Sequence, residues 1–335
     1  MSKLLNCLEN KDCSYVPIWF MRQAGRYLPE FRKIRSQNPD FIKLCLNSNL
    51  ASEITLQPMK KFNLDAAIIF SDILIIPHAL KQNIKFEKGG PRCTNFNLDE
   101  FLNTTKNEFL ETLKPVYEAI KKTKDSLDKK KSLIAFVGAP WTLLIYLYNL
   151  KSKGENITKL NIENKKEKRL VLDKLNDFLK LHIIKQKESG ADVVQIFDSW
   201  AGLLNNEDLE EFCYQPNKKL VSFCKDNSIP SICFPKGLKD KYKIFSEKVK
   251  PNAINIDYDI DPEWAKKNLT NLCIQGGMKP ELLLKDEKLV LDETEKYLEI
   301  FKNIPYIFNL GHGILPKTDP EIIKKIVDKI KAVRK

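Results

Sequence analysis

Long apolar runs are missing from this chain of 335 residues. A membrane-spanning helix needs roughly 18 to 20 consecutive apolar residues. The most apolar region, Ala66 to Leu80, is interrupted by Ser71, Asp72 and Pro77. The N-terminus has neither an apolar signal core nor the Arg- and Ser-rich character of a transit peptide, so the expected location is cytoplasmic and no membrane partner is expected. Histidine is scarce, with three residues. None of the three stands near a Cys or Asp at metal-ligand spacing. A GxGxxG fingerprint and a P-loop are both absent. The eight cysteines never form a CxxC pair, and several sit inside apolar runs. They read as reduced, mostly buried thiols rather than a disulfide framework or a metal site. No Pro/Gly/Ser-rich linker divides the chain, which predicts one domain over residues 1–335.

Lysine is abundant, and the formal net charge is +12. Much of it lies in stretches such as Lys121–Lys131 and Lys151–Arg169, which read as solvated helix faces and a loop. Zinc fingers, RNP-like aromatics and basic stripes interleaved with aromatics are absent, so nucleic acid is not an expected partner. A positive field suits a polyanionic small molecule.

Eight short apolar, β-branched runs punctuate longer helical stretches. They are Val16–Phe20, Ala66–Phe70, Leu133–Val137, Val193–Phe197, Ser231–Phe234, Ala253–Asp257, Leu272–Gly276 and Tyr306–Leu310. Arg169–Glu188 and Asp208–Asp226 carry apolar residues near helical spacing. Apolar strands alternating with helices imply a parallel sheet buried on both faces. Eight of them predict a single (β/α)8 TIM barrel in the α/β class, with a doubly wound open sheet as the alternative. The weakest stretch is Lys151–Lys168, polar and Asn/Lys-rich, read as a surface excursion.

A barrel places function just after its strands. Arg22 and Arg26 follow the first run, and Arg32 and Arg35 come soon after. Guanidinium groups are planar, permanently charged forks suited to carboxylate or phosphate capture, although an arbitrary arginine pair is more often a solvated helix start. Ser71 and Asp72 follow the second run. Asp72 lies between apolar segments, which suits either a helix N-cap or a partly desolvated carboxylate facing buried donors. Tyr146 lies beyond the Gly138–Thr142 turn, and Ser199 ends an Asp-Ser pair that can also cap a helix. Lys236-Gly237, Asp257 and Gly276-Gly277 mark later strand ends. His312 sits between two glycines, which permits close backbone approach to a ligand. His78 and His182, each in an apolar helical stretch, read as structural.

Pro17–Arg32 (PIWFMRQAGRYLPEFR), Ala66–Leu74 (AAIIFSDIL), Gly138–Leu143 (GAPWTL), Phe197–Gly202 (FDSWAG) and Asn309–Ile314 (NLGHGI) stand out as five motifs. Together they resemble the uroporphyrinogen decarboxylase family. They occur in family order from the start of the chain to near its end. The resemblance implies a (β/α)8 barrel, a homodimer, and no metal or organic cofactor. It implies conversion of uroporphyrinogen III to coproporphyrinogen III, with four acetate arms becoming methyls and four CO2 released. By motif, Arg22 and Arg26 correspond to substrate-carboxylate binders, with the Gln23, Ala24 and Gly25 backbone between them, and Arg35 to a further carboxylate contact. Asp72 corresponds to the central aspartate facing the pyrrole N–H groups. Tyr146, Ser199 and His312 match the remaining substrate contacts. Two departures from the family pattern are His78, where many relatives are expected to have Gln, and the Lys/Asn-rich composition after Leu150.

The chemistry implied is coherent. A carboxyl group leaves readily only if its electrons have somewhere to go, and a protonated pyrrole accepts them as an iminium-like ring. Asp72 would stabilise that positive charge as it forms, while the arginines position the departing carboxylate. Tyr146, His312 and a water relayed by Arg26 are the admissible proton donors. A sister class transfers methyl groups to thiols through zinc and corrinoid partners, which requires a His/Cys metal set not seen in this sequence. A basic binding protein for RNA or membrane would explain the charge and leave the strand-end residues unexplained.

Overall fold

The computed structural model describes residues 1–87, 90–150 and 162–333. Among the described residues nine strands form, in chain order, β1 (Ala66–Ile68), β2 (Ile84–Glu87), β3 (Gly90–Cys93), β4 (Ser132–Gly138), β5 (Val193–Asp198), β6 (Ser231–Pro235), β7 (Ala253–Ile256), β8 (Cys273–Gly276) and β9 (Tyr306–Ile307). Seven build one parallel half-barrel sheet in the order β1-β4-β5-β6-β7-β8-β9. The β2–β3 pair is a separate antiparallel hairpin that the apolar pattern does not announce. The architecture is mixed α/β, with helices between successive sheet strands.

The expected first strand, Val16–Phe20, does not form as one. It contributes a single parallel bridge, Ile18 to Phe308. Its backbone is shared between main-chain and side-chain partners: Trp19 N–H donates to Phe308 O at 3.4 Å, while Phe308 N–H donates to Pro17 O and Asp65 N–H to Ile18 O, each at 2.9 Å. The Ile18 N–H donates to Asp65 Oδ2 at 2.9 Å, and Phe20 N–H to Gln23 Oε1 at 3.0 Å. Met21 N–H donates to Asn309 Oδ1 at 3.1 Å, and Pro17 has no N–H to offer a ladder. The sheet therefore has seven regular strands, where eight runs were expected. The helix expected over Asp208–Asp226 opens as a wide turn, Glu210–Tyr214, and continues as Gln215–Asp226. Pro216, just inside that second helix, cannot donate to the preceding turn, which accounts for the irregular start. Of the predicted excursion, residues 151–161 lie outside the described residues, while Lys165–Lys168 form the first turn of the helix Lys165–Glu188.

Alternate strand residues face opposite ways. Leu133 and Ala135 join the larger core under the helices. Ile134, Val193, Ile232, Ala253 and Cys273 fill the opposite, concave face. Leu4, Cys7 and Leu8 of the helix Lys3–Asn10 pack against that face. A polar layer also lies on it: Trp19 Nε1 donates to Gln275 Oε1 at 2.9 Å, and Gln275 Nε2 to Gln195 Oε1 and Asn255 Oδ1 at 3.1 and 2.8 Å. All four side chains are fully buried, so this network replaces water with fixed partners. Seven of the eight cysteines are buried. No described helix is long and apolar enough to cross a membrane.

Candidate active site

Because the sheet strands run parallel, their carboxyl ends share one edge. The residues singled out in the sequence lie just beyond them. Arg22 occupies a tight turn after the Ile18 bridge and takes a left-handed backbone conformation, φ 60°. That conformation costs a non-glycine residue roughly 1 kcal/mol or more, so the surrounding turn must hold it. The neighbouring strand-end loop does so: Ile314 N–H donates to Met21 O at 2.9 Å.

The side chain of Arg22 is open to the cleft, yet the protein around it displaces enough water to lower its pKa. Arg26 adds repulsion, while Asp72 and Tyr146 pull the other way. Neither the Arg22 nor the Arg26 guanidinium hydrogen-bonds or ion-pairs with any described residue. The N–H groups of Ala24, Gly25 and Arg26 are likewise uncommitted among the described residues. Two free forks flanking a row of free amides form a ready receptor for carboxylates. Gln23 is different. It is fully buried, and its Nε2 donates to Ala66 O at 3.1 Å while its Oε1 takes the Phe20 N–H. Its side chain fastens the arginine turn to β1 and does not reach the cleft.

Asp72 follows β1 on a half-buried turn. One carboxylate oxygen accepts Leu74 N–H at 2.8 Å, and the other has no partner among the described residues. The hydrogen bond is an Asx turn entering the short helix Ile75–Ala79, so the capping alternative holds for one oxygen only. Burial pushes the carboxyl up to about 6, against the lowering pull of the Leu74 amide and Arg22. Tyr146, on the helix Pro140–Leu147, is raised by burial, with hydrogen bonding from Trp200 opposing. Asp72 and Arg22 also act on it, so these three share one field. The Tyr146 and Trp200 rings meet edge to face at 6.4 Å, and Ser199 immediately precedes Trp200 at the end of β5, half-buried.

His312 is half-buried, and its imidazole is held down to about 3 by burial, then by Lys236 and Arg22. It is neutral at ordinary pH. Its flanking glycines admit close protein contacts. A Cβ on Gly311 would stand 2.3 Å from Tyr258 N, and one on Gly313 would stand 2.3 Å from Arg22 Cδ.

Arg35 stands apart from the Arg22 cluster. Its guanidinium donates to Asn38 O and lies 5.5 Å from the Phe41 ring centroid. It influences buried Cys45, which in turn feels Asp72. His182 is buried between Tyr117 and Gln186 at 3.0 and 2.7 Å, away from the strand ends. His78 sits on the helix Ile75–Ala79, lowered by burial, with Asp40 acting against that.

Three residues join the site that motif reading did not assign to it. Lys236, the first residue after β6, shares its field with Arg22 and His312. Tyr258 follows β7, and Lys279 follows β8. Their strand-end positions were the available signal. Asp198, at the end of β5, is buried and pushed up to about 6 by that burial. It accepts from Thr142 Oγ1 at 2.8 Å, Asn217 Nδ2 at 2.9 Å and Cys213 Sγ at 3.5 Å, and so ties the turn after β4 to that after β5. Among the described residues no three His, Cys, Asp or Glu side chains gather as metal ligands would.

The family model described as uroporphyrinogen decarboxylase (URO-D) matches residues 1–333. A uroporphyrinogen decarboxylase of Rickettsia felis is 38% identical over 336 residues, covering 99% of this chain and 97% of the relative. One from Wolbachia sp. subsp. Brugia malayi is 40% identical over 328 residues, covering 97% and 93%. One from Cereibacter sphaeroides is 37% identical over 337 residues, covering 98% of each chain. Among solved structures, a methyltransferase from Methanosarcina mazei superposes with a TM-score of 0.80, covering 98% of this chain and 97% of that one. At 16% identity that likeness speaks to the fold alone.

Proposed function

The chain belongs to the uroporphyrinogen decarboxylase family, and from that premise we infer that it is a carboxy-lyase that removes carboxyl groups from a uroporphyrinogen in tetrapyrrole biosynthesis. The finer reading is that uroporphyrinogen III loses four CO2 to become coproporphyrinogen III, without metal or organic cofactor. The observation that carries it is the pairing of two unpartnered guanidiniums, Arg22 and Arg26, with a largely desolvated Asp72 that keeps one oxygen free.

The chemistry follows from that pairing. Protonation of the pyrrole beside the acetate-bearing carbon makes an iminium-like cation. The C–C bond to the carboxylate then breaks, and its electron pair neutralises the ring as an exocyclic methylene. A second protonation turns the methylene into a methyl, and the first proton leaves the ring. Each cycle consumes one proton net and releases one CO2. Asp72 opposes the ring cation and accepts the pyrrole N–H groups, so its stabilising effect is greatest where charge is greatest. Arg22, Arg26 and the Ala24–Gly25 amides hold peripheral carboxylates, and Arg35, which spends one N–H on Asn38 O, is a separate further carboxylate contact. Gln23 supports that turn through its buried side chain. Tyr146, Ser199 and His312 complete the contacts. His312 is neutral in the free protein, so it serves as a hydrogen-bond partner rather than as a standing acid.

The chain is read as one domain that works in the cytoplasm as a homodimer. The Pro17–Trp19 segment supports an eight-stranded closure. Asp65 N–H donates to Ile18 O at 2.9 Å, and Phe308 N–H to Pro17 O at 2.9 Å, so the segment lies between the two ends of the sheet. Anaerobic incubation with uroporphyrinogen III, followed by chromatography of the oxidised products, tests the activity. Stepwise conversion to the tetracarboxylate is expected; an unchanged octacarboxylate with folded protein would refute it.

A further inference from the structure

Lys236 and Lys279 come from different strand ends and meet over one ring. The Lys236 ammonium lies 5.7 Å from the Tyr258 ring centroid, and that of Lys279 lies 5.8 Å from the same centroid. Lys236 is half-buried, whereas Lys279 is exposed. Among the described residues neither ammonium has a carboxylate within 4 Å. The acidic groups acting on Lys236 are Asp257, Asp259 and Glu281. Asp257 is already committed. It is buried and accepts from Gly237 N–H at 2.7 Å, Tyr242 Oη at 3.1 Å and Asp259 N–H at 3.1 Å. A half-buried ammonium without an ion pair keeps N–H groups to offer an anionic ligand. The position is also contiguous with the site. Gly311 packs on the Tyr258 backbone, and Lys236 and Arg22 both act on His312.

We propose that Lys236, with Lys279 across the Tyr258 ring, forms a second carboxylate-binding station in the same cleft, holding a peripheral carboxylate of the tetrapyrrole that Arg22 and Arg26 do not reach. The proposal rests on the decarboxylase reading and deepens it. Arginines grip one side of the macrocycle, and lysines grip another, with His312 between them. A flat ring carrying carboxylates around its whole edge needs such anchors on more than one side to be held in a single pose. Tyr258 fixes the spacing of the two ammoniums through cation–π attraction, which leaves their N–H groups free to donate.

The test compares wild type with Lys236→Gln, Lys236→Arg and Lys279→Gln. Steady-state kinetics with uroporphyrinogen III give KM and kcat, and fluorescence titration with oxidised, unreactive uroporphyrin gives Kd. Lys236→Gln is expected to raise KM and Kd about tenfold with kcat within about threefold, and Lys236→Arg to restore both to within about threefold. Exposed Lys279→Gln is expected to cost about twofold to threefold. An unchanged KM and Kd in Lys236→Gln, or a loss that Lys236→Arg does not rescue, would overturn the station. Wild type that binds uroporphyrin but does not turn over uroporphyrinogen would instead refute the decarboxylase reading, and the Kd series would still decide the station.

Discussion

Gly313 makes room for Arg22: a Cβ at that glycine would stand 2.3 Å from Cδ and 2.6 Å from Cγ of the arginine. The Arg22 side chain therefore lies against the backbone of the loop that carries His312. Gly313→Ala adds one methyl and must push the guanidinium out of place. We expect kcat/KM to fall by about 10- to 100-fold, since small misplacements of an anchoring group are expensive, with the melting temperature little changed. Wild-type kinetics in that variant would show that the placement of Arg22 is immaterial.

Asp72→Asn keeps the shape of the side chain and removes its charge. If the carboxylate opposes a ring cation, kcat should fall by about 10²- to 10³-fold with KM changed far less. The pH profile provides a second readout. With the carboxyl pushed up to about 6 by burial, kcat/KM should be level above that pH and decline as pH falls through it. Normal turnover by a folded Asn variant would remove Asp72 from the chemistry.

His312 should not titrate across the physiological range in the free protein. Burial, Lys236 and Arg22 hold it down to about 3, so its ring NMR shifts should stay flat from about pH 5 to pH 8, where a free histidine would move. A titration near the ordinary histidine value would mean that the imidazole is better solvated, or nearer an acid, than the geometry indicates.

Asp198 should leave a mark on stability. Its carboxyl is raised from 3.8 to about 6 by burial. Between those values the native protein holds a proton that the unfolded chain has released, so stability is full below the lower value and declines as pH rises through the upper one. Asp72 acts in the same direction. Melting temperatures of Asp198→Asn should therefore vary less with pH across that window than those of wild type. An equal or steeper dependence would contradict this.

Much of the fold is legible in the apolar runs. The seven sheet strands each fall on a predicted run, because a strand buried on both faces needs continuous apolar residues. Val16–Phe20 has the same composition and fails as a regular strand. Two of its N–H groups are taken by the side chains of Asp65 and Gln23 instead of a ladder partner, which no periodicity reveals. The β2–β3 hairpin is similarly silent, since Ile84–Glu87 mixes charge with few apolar residues. In the site, Arg22, Asp72, Tyr146 and His312 could be picked from position and type, and they share one electrostatic environment. The inward commitment of the Gln23 side chain could not be seen, because it depends on a contact with Ala66 far along the chain. Nor could the meeting of Lys236 and Lys279, which is set by the spacing of β6, β7 and β8.

The decarboxylase assignment is tested most directly by counting CO2. The protein, treated with a chelator and given no added cofactor, is incubated anaerobically with uroporphyrinogen III labelled in its acetate carboxyls, and released label is measured against substrate consumed at completion. Four CO2 per tetrapyrrole are predicted, with coproporphyrin as the oxidised end product. No released label from folded protein, or a requirement for added metal, would contradict the assignment of a cofactor-independent decarboxylase.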